Sequence, residues 1–480
     1  MKSLRFLLLL TALAPTAFAA SGALRAGAFA ADITPAALPS PINGGMKGAF
    51  ASAVSDPMHA RCLALSDGAT EIILCVMDSC MVPREVCVEA KRLAAQATGV
   101  PAARILISAT HSHSCATMTP VFQSDPDPAY VGALPARIAE GIIRAHRNLE
   151  PAEIAWGADA DPTQVFNRRW FVKDGDSYEN PFDGKADRAW MNPGYQSARV
   201  RAPAGPVDPE VAILAVRARA GGRPLALLAN YSLHYVGGTP AISADYFAAF
   251  AREVGARLGA GDDRYAGKPA FVGIMSNGTS GNINNVNYAA PAPTPRPAPG
   301  EQIARVARSV ADAALRAWGR LEWRATAPLV SAERDLTLAV RKADAAELER
   351  ARRIVATTPR DKDGQFSDRK AIYALEALAL DKYPDRVPLT LQAHRIGGLT
   401  IAAIPCEVFV EIGLELKAAK PLERHFTISL ANGYNGYLPT PAHHALGGYE
   451  TWRARSSYLE TEASVAITKT LRELLREVAR

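Results

Sequence analysis

Past its first twenty residues the chain has no apolar run approaching the 18 or so residues that a membrane-spanning helix needs. Cysteine is scarce, six in 480 residues, too few to staple a chain this long, so a hydrophobic core must hold it. No internal repeat is visible, which excludes a solenoid or blade array. The basic residues are scattered and the formal charge is only +6, part of it from Lys2 and Arg5, so no electrostatic footprint for nucleic acid exists.

What is present reads as globular: 48% apolar and 21% charged residues. Lys2 and Arg5 precede the apolar run Phe6–Ala14, and small residues at Ala17 and Ala19 flank Phe18, the layout of a secretory signal. This predicts a signal peptide over 1–19, cleavage after Ala19, and an exported protein, periplasmic or secreted. Residues 20–480 read as one catalytic domain, with a smaller C-terminal lobe from about 325 as a subdivision. Export permits disulfides. A hairpin with its loop at Asp67–Thr70 would place Cys62 opposite Cys75, but opposed strand residues usually hold their β-carbons too far apart for a bond, so free thiols are expected.

Apolar strand-like runs alternate with amphipathic segments, which predicts an α/β fold of mixed β-sheets packed with helices. Strands are expected at 59–65, 71–77, 103–109, 210–218, 224–232, 269–275, 388–395, 398–404 and 425–431. Helices are expected at 83–98, 132–148, 245–259, 301–319, 344–356, 370–382, 408–419 and 457–478; Asp344 and Glu347 give the fifth a capping signal. Residues 172–206 and the proline-rich 288–300 read as irregular, either substrate walls or surface insertions.

The chemically capable residues recur where an apolar run has just ended: Asp78, His111 and His113, His234, Asn277 and Asn284, Glu407, then Tyr434 and Tyr437. Largely parallel sheets collect such residues along one edge. If the strand continues, His111 and His113 share a face, and they can be either metal ligands or a hydrogen-bonded pair closing the strand. His234 and Glu407 favour the metal. Glu407 reads either as a ligand whose ionised form a helix N-terminus favours or as a plain helix cap. Two histidines and a carboxylate suit catalytic zinc (Zn2+), with a position left for water. Asp78 is a candidate partner for a ligating histidine, or a strand-end cap. Cys115 is a candidate nucleophile or a structural thiol. One of His443 and His444 is a candidate pocket residue.

These segments together resemble the neutral, non-lysosomal ceramidase family, in "THSHS" at 110–114, "NYSLH" at 230–234, "PCE" at 405–407, "NGYNGY" at 432–437 and "GYE" at 448–450. The resemblance implies a ceramidase-like catalytic domain and zinc held by His111, His234, Glu407 and Tyr437. It also implies catalytic roles for His113 and Tyr449 and, through "NRR" at 167–169, for Arg168. Where the family carries its essential serine, this chain has Asn284, a candidate catalytic residue whose amide can donate a hydrogen bond to developing negative charge but cannot form an acyl intermediate. Cys115-Ala116 replaces the family's Gly-Pro, and the family's C-terminal immunoglobulin-like domain is not expected here.

The reading is an exported zinc-dependent hydrolase that cleaves an amide or ester of an N-acylsphingosine or other N-acyl substrate by metal-activated water, His113 being the best candidate base. Its expected partner is a small-molecule or lipid amide, with no nucleic acid and at most transient membrane contact. Two alternatives stand beside it: a metal-containing binding protein without catalysis, and a hydrolase of a polar sugar- or peptide-derived amide. The sequence leaves oligomeric state open.

Overall fold

The computed structural model describes residues 22–480; the signal-like segment 1–19 lies outside them. Eight strands form one sheet in the order Val272–Asn277, Pro224–Tyr231, Glu210–Ala218, Glu150–Ala160, Arg25–Asp32, His59–Ser66, Glu71–Met77 and Ile105–Ala109. Four more form a second sheet in the order Leu329–Ala339, Arg386–Ile396, Leu399–Ala403 and Arg424–Ile428.

The apolar runs are continuous because the strands are covered on both faces. Leu63, Leu65, Ile72, Leu74, Leu228 and Ile274 meet Leu399, Ile401, Phe426 and Ile428 of the second sheet in one shared core. The alternate residues Ile73 and Cys75 face outward against Ala90, Leu134 and Ile138 of the helices Arg84–Thr98 and Pro128–Arg147. At the other end of the large sheet, Ile213, Leu227 and Met275 pack on Phe247, Phe250, Val306 and Val310 of the helices Asp245–Arg257 and Glu301–Trp318. The helix Ala463–Ala479 covers the second sheet through Ile467, Leu471 and Leu474. The layers therefore run helix, sheet, sheet, helix, an α/β arrangement of mixed sheets. No helix among the described residues is long and apolar enough to cross a membrane.

The large sheet is not largely parallel as expected. Only its two edge pairings are parallel, Pro224–Tyr231 with Val272–Asn277 and Glu71–Met77 with Ile105–Ala109; the pairings between them are antiparallel. In the second sheet Leu399–Ala403 and Arg424–Ile428 also run parallel. Nearly all the sequence candidates follow these six strands, so a common edge still forms locally. The segment after Arg424–Ile428 joins the two ends of the large sheet. Ser429 N–H donates to Asn277 O at 3.0 Å, Ala109 N–H to Leu430 O at 3.1 Å, and Asn432 N–H to Ile107 O at 2.7 Å.

Cys62 and Cys75 face each other in register, and all six cysteines are free and buried. The capping box at Asp344 and Glu347 is formed. Residues 172–206 are more ordered than a surface insertion. Arg169–Val172 pairs with Ala189–Met191 and Val200–Pro203, and Asp187 accepts from Gly448 N–H at 2.7 Å and Trp452 Nε1–H at 2.6 Å.

Candidate metal centre

Ile105–Ala109 ends before the two histidines, so strand pleating does not align their rings. His111 takes a left-handed backbone, φ 76°, a conformation that costs a non-glycine residue roughly 1–2 kcal/mol. Two local bonds hold it there: His111 N–H donates to Ser79 O at 2.7 Å, and Nδ1–H donates to Cys80 O at 2.8 Å. His234, three residues past its strand, donates from Nδ1 to Ser280 O at 3.1 Å. With both Nδ1 atoms donating, both Nε2 atoms present lone pairs, and these lie 3.0 Å apart.

Glu407 enters from the short parallel pairing of Glu407–Val408 with Tyr437–Leu438. It does not cap the following helix, which begins at Val410 behind Phe409. Its Oε1 accepts from Tyr434 Oη at 2.9 Å. Its Oε2 is 3.0 Å from His111 Nε2 and 3.9 Å from His234 Nε2, is buried, and has no hydrogen-bond donor. The donor atoms of His111, His234 and Glu407 all lie within 4.8 Å of one another, and this buried group could hold a metal ion.

Three acceptors brought together out of water require a cation among them. A proton on His111 is one. Burial opposes it, but Glu407 beside the ring raises the imidazole well above its ordinary range. Burial likewise works to raise the Glu407 carboxyl, yet His111, Arg168 and the Tyr434 hydrogen bond hold it below its usual value. A single proton serves only one edge of the group and leaves His234 Nε2 to the Arg168 guanidinium at 3.3 Å, whereas a divalent ion with affinity for nitrogen and oxygen could be shared by all three atoms. The donor set fits zinc.

His113 borders this group. Its Nε2 is 3.2 Å from His111 Nε2, and its ring stacks on Tyr235 with centroids 3.6 Å apart. Gly44, at φ 126°, passes so close that a β-carbon there would overlap the His113 ring. Arg168 is buried beside the donors. Its Nη1 lies 3.3 Å from His234 Nε2, and its Nη2 donates to Gly281 O at 2.7 Å and Tyr437 Oη at 3.0 Å. Burial raises the Tyr437 phenol well above its usual range, with Arg168 pulling the other way. The Tyr437 and Tyr449 rings meet edge to face, 5.8 Å between centroids. Both tyrosines line the same small cavity as His111, His113 and Glu407, and Met81, Val121 and Phe122 form its apolar side.

Other candidates fall elsewhere. Asn284 is half-buried and not among the cavity's lining residues; its Nδ2 donates to Asn192 and its Oδ1 accepts from Val286 N–H. Asp78 does not hold a histidine of the group, because its Oδ2 accepts from His59 N–H at 2.9 Å and Arg61 Nη2 at 3.1 Å. Cys115 is fully buried with Sγ 3.4 Å from Ser243 O, and burial pushes its thiol well up, so it is a structural thiol. His443 bonds Thr440 and pairs with Glu411 away from the cavity. The sequence reading missed the partners that orient the donors. Tyr434 was visible as a strand-end residue, but the carbonyls of Cys80 and Ser280 carry no signal in residue type.

No family model matches the chain, and no curated protein matches it. Among solved structures, the neutral ceramidase from Pseudomonas aeruginosa is similar at TM-score 0.68 and 17% identity, over 95% of this chain and 74% of that one. A ceramidase complexed with C2 is similar at TM-score 0.69 and 17% identity, over 95% of this chain and 75% of that one. At this identity the likeness is one of fold. Over nearly its whole length, the chain has the fold of neutral ceramidase.

Proposed function

We propose that this chain is a zinc-dependent amidohydrolase acting on a ceramide-like N-acyl substrate, with an ester as a second scissile bond. One observation carries the reading: the buried, undonated Glu407 Oε2 faces the lone pairs of His111 and His234. In it, His111, His234 and Glu407 hold the ion, with Tyr437 beside them as the fourth ligand. Bound zinc supplies Lewis acidity toward a substrate carbonyl and toward water.

The remaining work belongs to the chain's own side chains. His113, held between Tyr235 and Gly44, accepts and returns a proton at Nε2. Arg168 and the Tyr449 hydroxyl stabilise negative charge on the carbonyl oxygen. Met81, Val121 and Phe122 give the cavity an apolar side, and in this reading the acyl group approaches along it. Asn284, engaged with Asn192, has no part in these steps. Because an amide cannot form an acyl intermediate, Asn284 is no nucleophile, and in this reading water attacks directly.

Purified chain with one equivalent of zinc is expected to release fatty acid from N-acylsphingosines of graded acyl length. Zinc retained at full occupancy with no product from these or from N-acyl amino acids would favour a binding protein. We also propose export, with a mature N-terminus at Ala20; N-terminal sequencing of the secreted or periplasmic protein tests it.

A further inference from the structure

Two adjacent arginines are both buried, Arg168 beside the donor group and Arg169 behind it, and two guanidinium charges out of water require a counter-ion. Among the described residues one carboxylate reaches both. Glu450, fully buried, holds Oε2 2.7 Å from Arg169 Nη1 and Oε1 3.3 Å from Arg168 Nε. Arg169 is further tied to Gly447 O at 2.6 Å, so it anchors Glu450 from the side away from the donors. The other two nitrogens of Arg168 are those that touch Tyr437 and His234. Glu450 therefore sets a negative charge against the rear edge of a guanidinium whose front edge faces the donor atoms, through an ion-pair contact and not a hydrogen bond.

We propose that Glu450 is a positioning residue that makes cation binding at His111, His234 and Glu407 compatible with Arg168. The inference rests on the metal reading of that site. Arg168 and Arg169 carry two positive charges; Glu407 and Glu450 carry two negative ones. Zinc enters a charge-balanced cluster only while the Glu450 side chain is in place. Without it, the ion meets an unscreened guanidinium at low dielectric, 3.3 Å from one of its own ligand atoms. Glu450 touches neither the donors nor the cavity. A purely structural salt bridge would set the unfolding temperature and leave ion affinity alone.

The test is zinc affinity of the full chain, read by competition with a chromophoric chelator, beside thermal unfolding in excess chelator. Glu450→Gln keeps the shape and removes the charge, and is expected to weaken zinc binding by about tenfold or more, the range for partners of ligating residues. The double variant Glu450→Gln/Arg168→Gln removes the guanidinium that Glu450 screens together with the screening charge, and its zinc affinity is expected to return to near the parental value. It also serves if the single variant does not fold. A folded Glu450→Gln that binds zinc like the parent overturns the inference, as does a folded double variant as weak as roughly a tenth of the parent. A parent chain that binds no zinc overturns the metal reading first, and this inference with it.

Discussion

Tyr434 donates its hydroxyl to Glu407 Oε1 at 2.9 Å, and this leaves Oε2 turned toward His111 at 3.0 Å. The phenol thus decides which carboxylate oxygen is free. Tyr434→Phe removes the donor without changing the ring. We expect zinc affinity to fall about 10-fold with the fold intact, as is usual when a ligand loses its orienting partner. Chelator competition reads this, and an unchanged affinity would show that the carboxylate is oriented by His111 alone.

Removing a donor should be far more severe. His111→Ala, His234→Ala and Glu407→Gln are each expected to lose stoichiometric zinc and hydrolysis together. Cys115→Ser should lose neither, since Cys115 lies outside the cavity. Elemental analysis of the purified variants separates these cases; full zinc in any of the three donor variants would remove that residue from the ligand set.

Gly44 allows a different separation. A β-carbon there would push into the His113 ring, and the φ of 126° disfavours any side chain. Gly44→Ala is expected to displace His113 and lower kcat by about 10-fold to 100-fold, the contribution typical of a proton-transferring group, with zinc retained. A loss of metal instead would mean that His113 is itself a ligand.

Acid should destabilise the protein away from the site. Burial foremost, then Lys91 for His394 and Lys417 with Lys420 for His425, depress these two imidazoles to about 3. Their folded pKa lies below the unfolded 6.5, so as pH falls the unfolded chain takes up protons that the folded chain refuses. Stability is therefore full above about pH 6.5 and lost progressively toward pH 3, roughly 2 kcal/mol for each histidine by pH 5. Urea unfolding in chelator at pH 7.5 and 5.0 reads the difference. A His394→Gln/His425→Gln variant should flatten it, and equal slopes in the two proteins would exclude these groups.

The strongly apolar strands and the longer helices were legible because burial on both faces, or on one helical stripe, leaves a plain pattern. Arg25–Asp32 and Glu150–Ala160 were not, being rich in alanine and glycine. Leu329–Ala339 is an edge strand whose charged positions, such as Arg334, face solvent and interrupt the pattern. His111, His113, His234 and Glu407 were found from their place after apolar runs, although the assumed parallel sheet was wrong for most of its pairings. Glu450 escaped because its meaning depends on Arg168 and Arg169, which no local pattern links to it.

The stitching of Ser429–Asn432 between the two edge strands of the large sheet, which lie far apart in sequence, has a kinetic consequence. His111 and His234 are 123 residues apart, and neither can meet Glu407 until that late-sequence segment has docked. Long-range closure of this kind comes near the end of folding, after much chain entropy has been lost. The ion should therefore act as a latch and not as a nucleus: added zinc should slow unfolding while leaving the refolding rate unchanged.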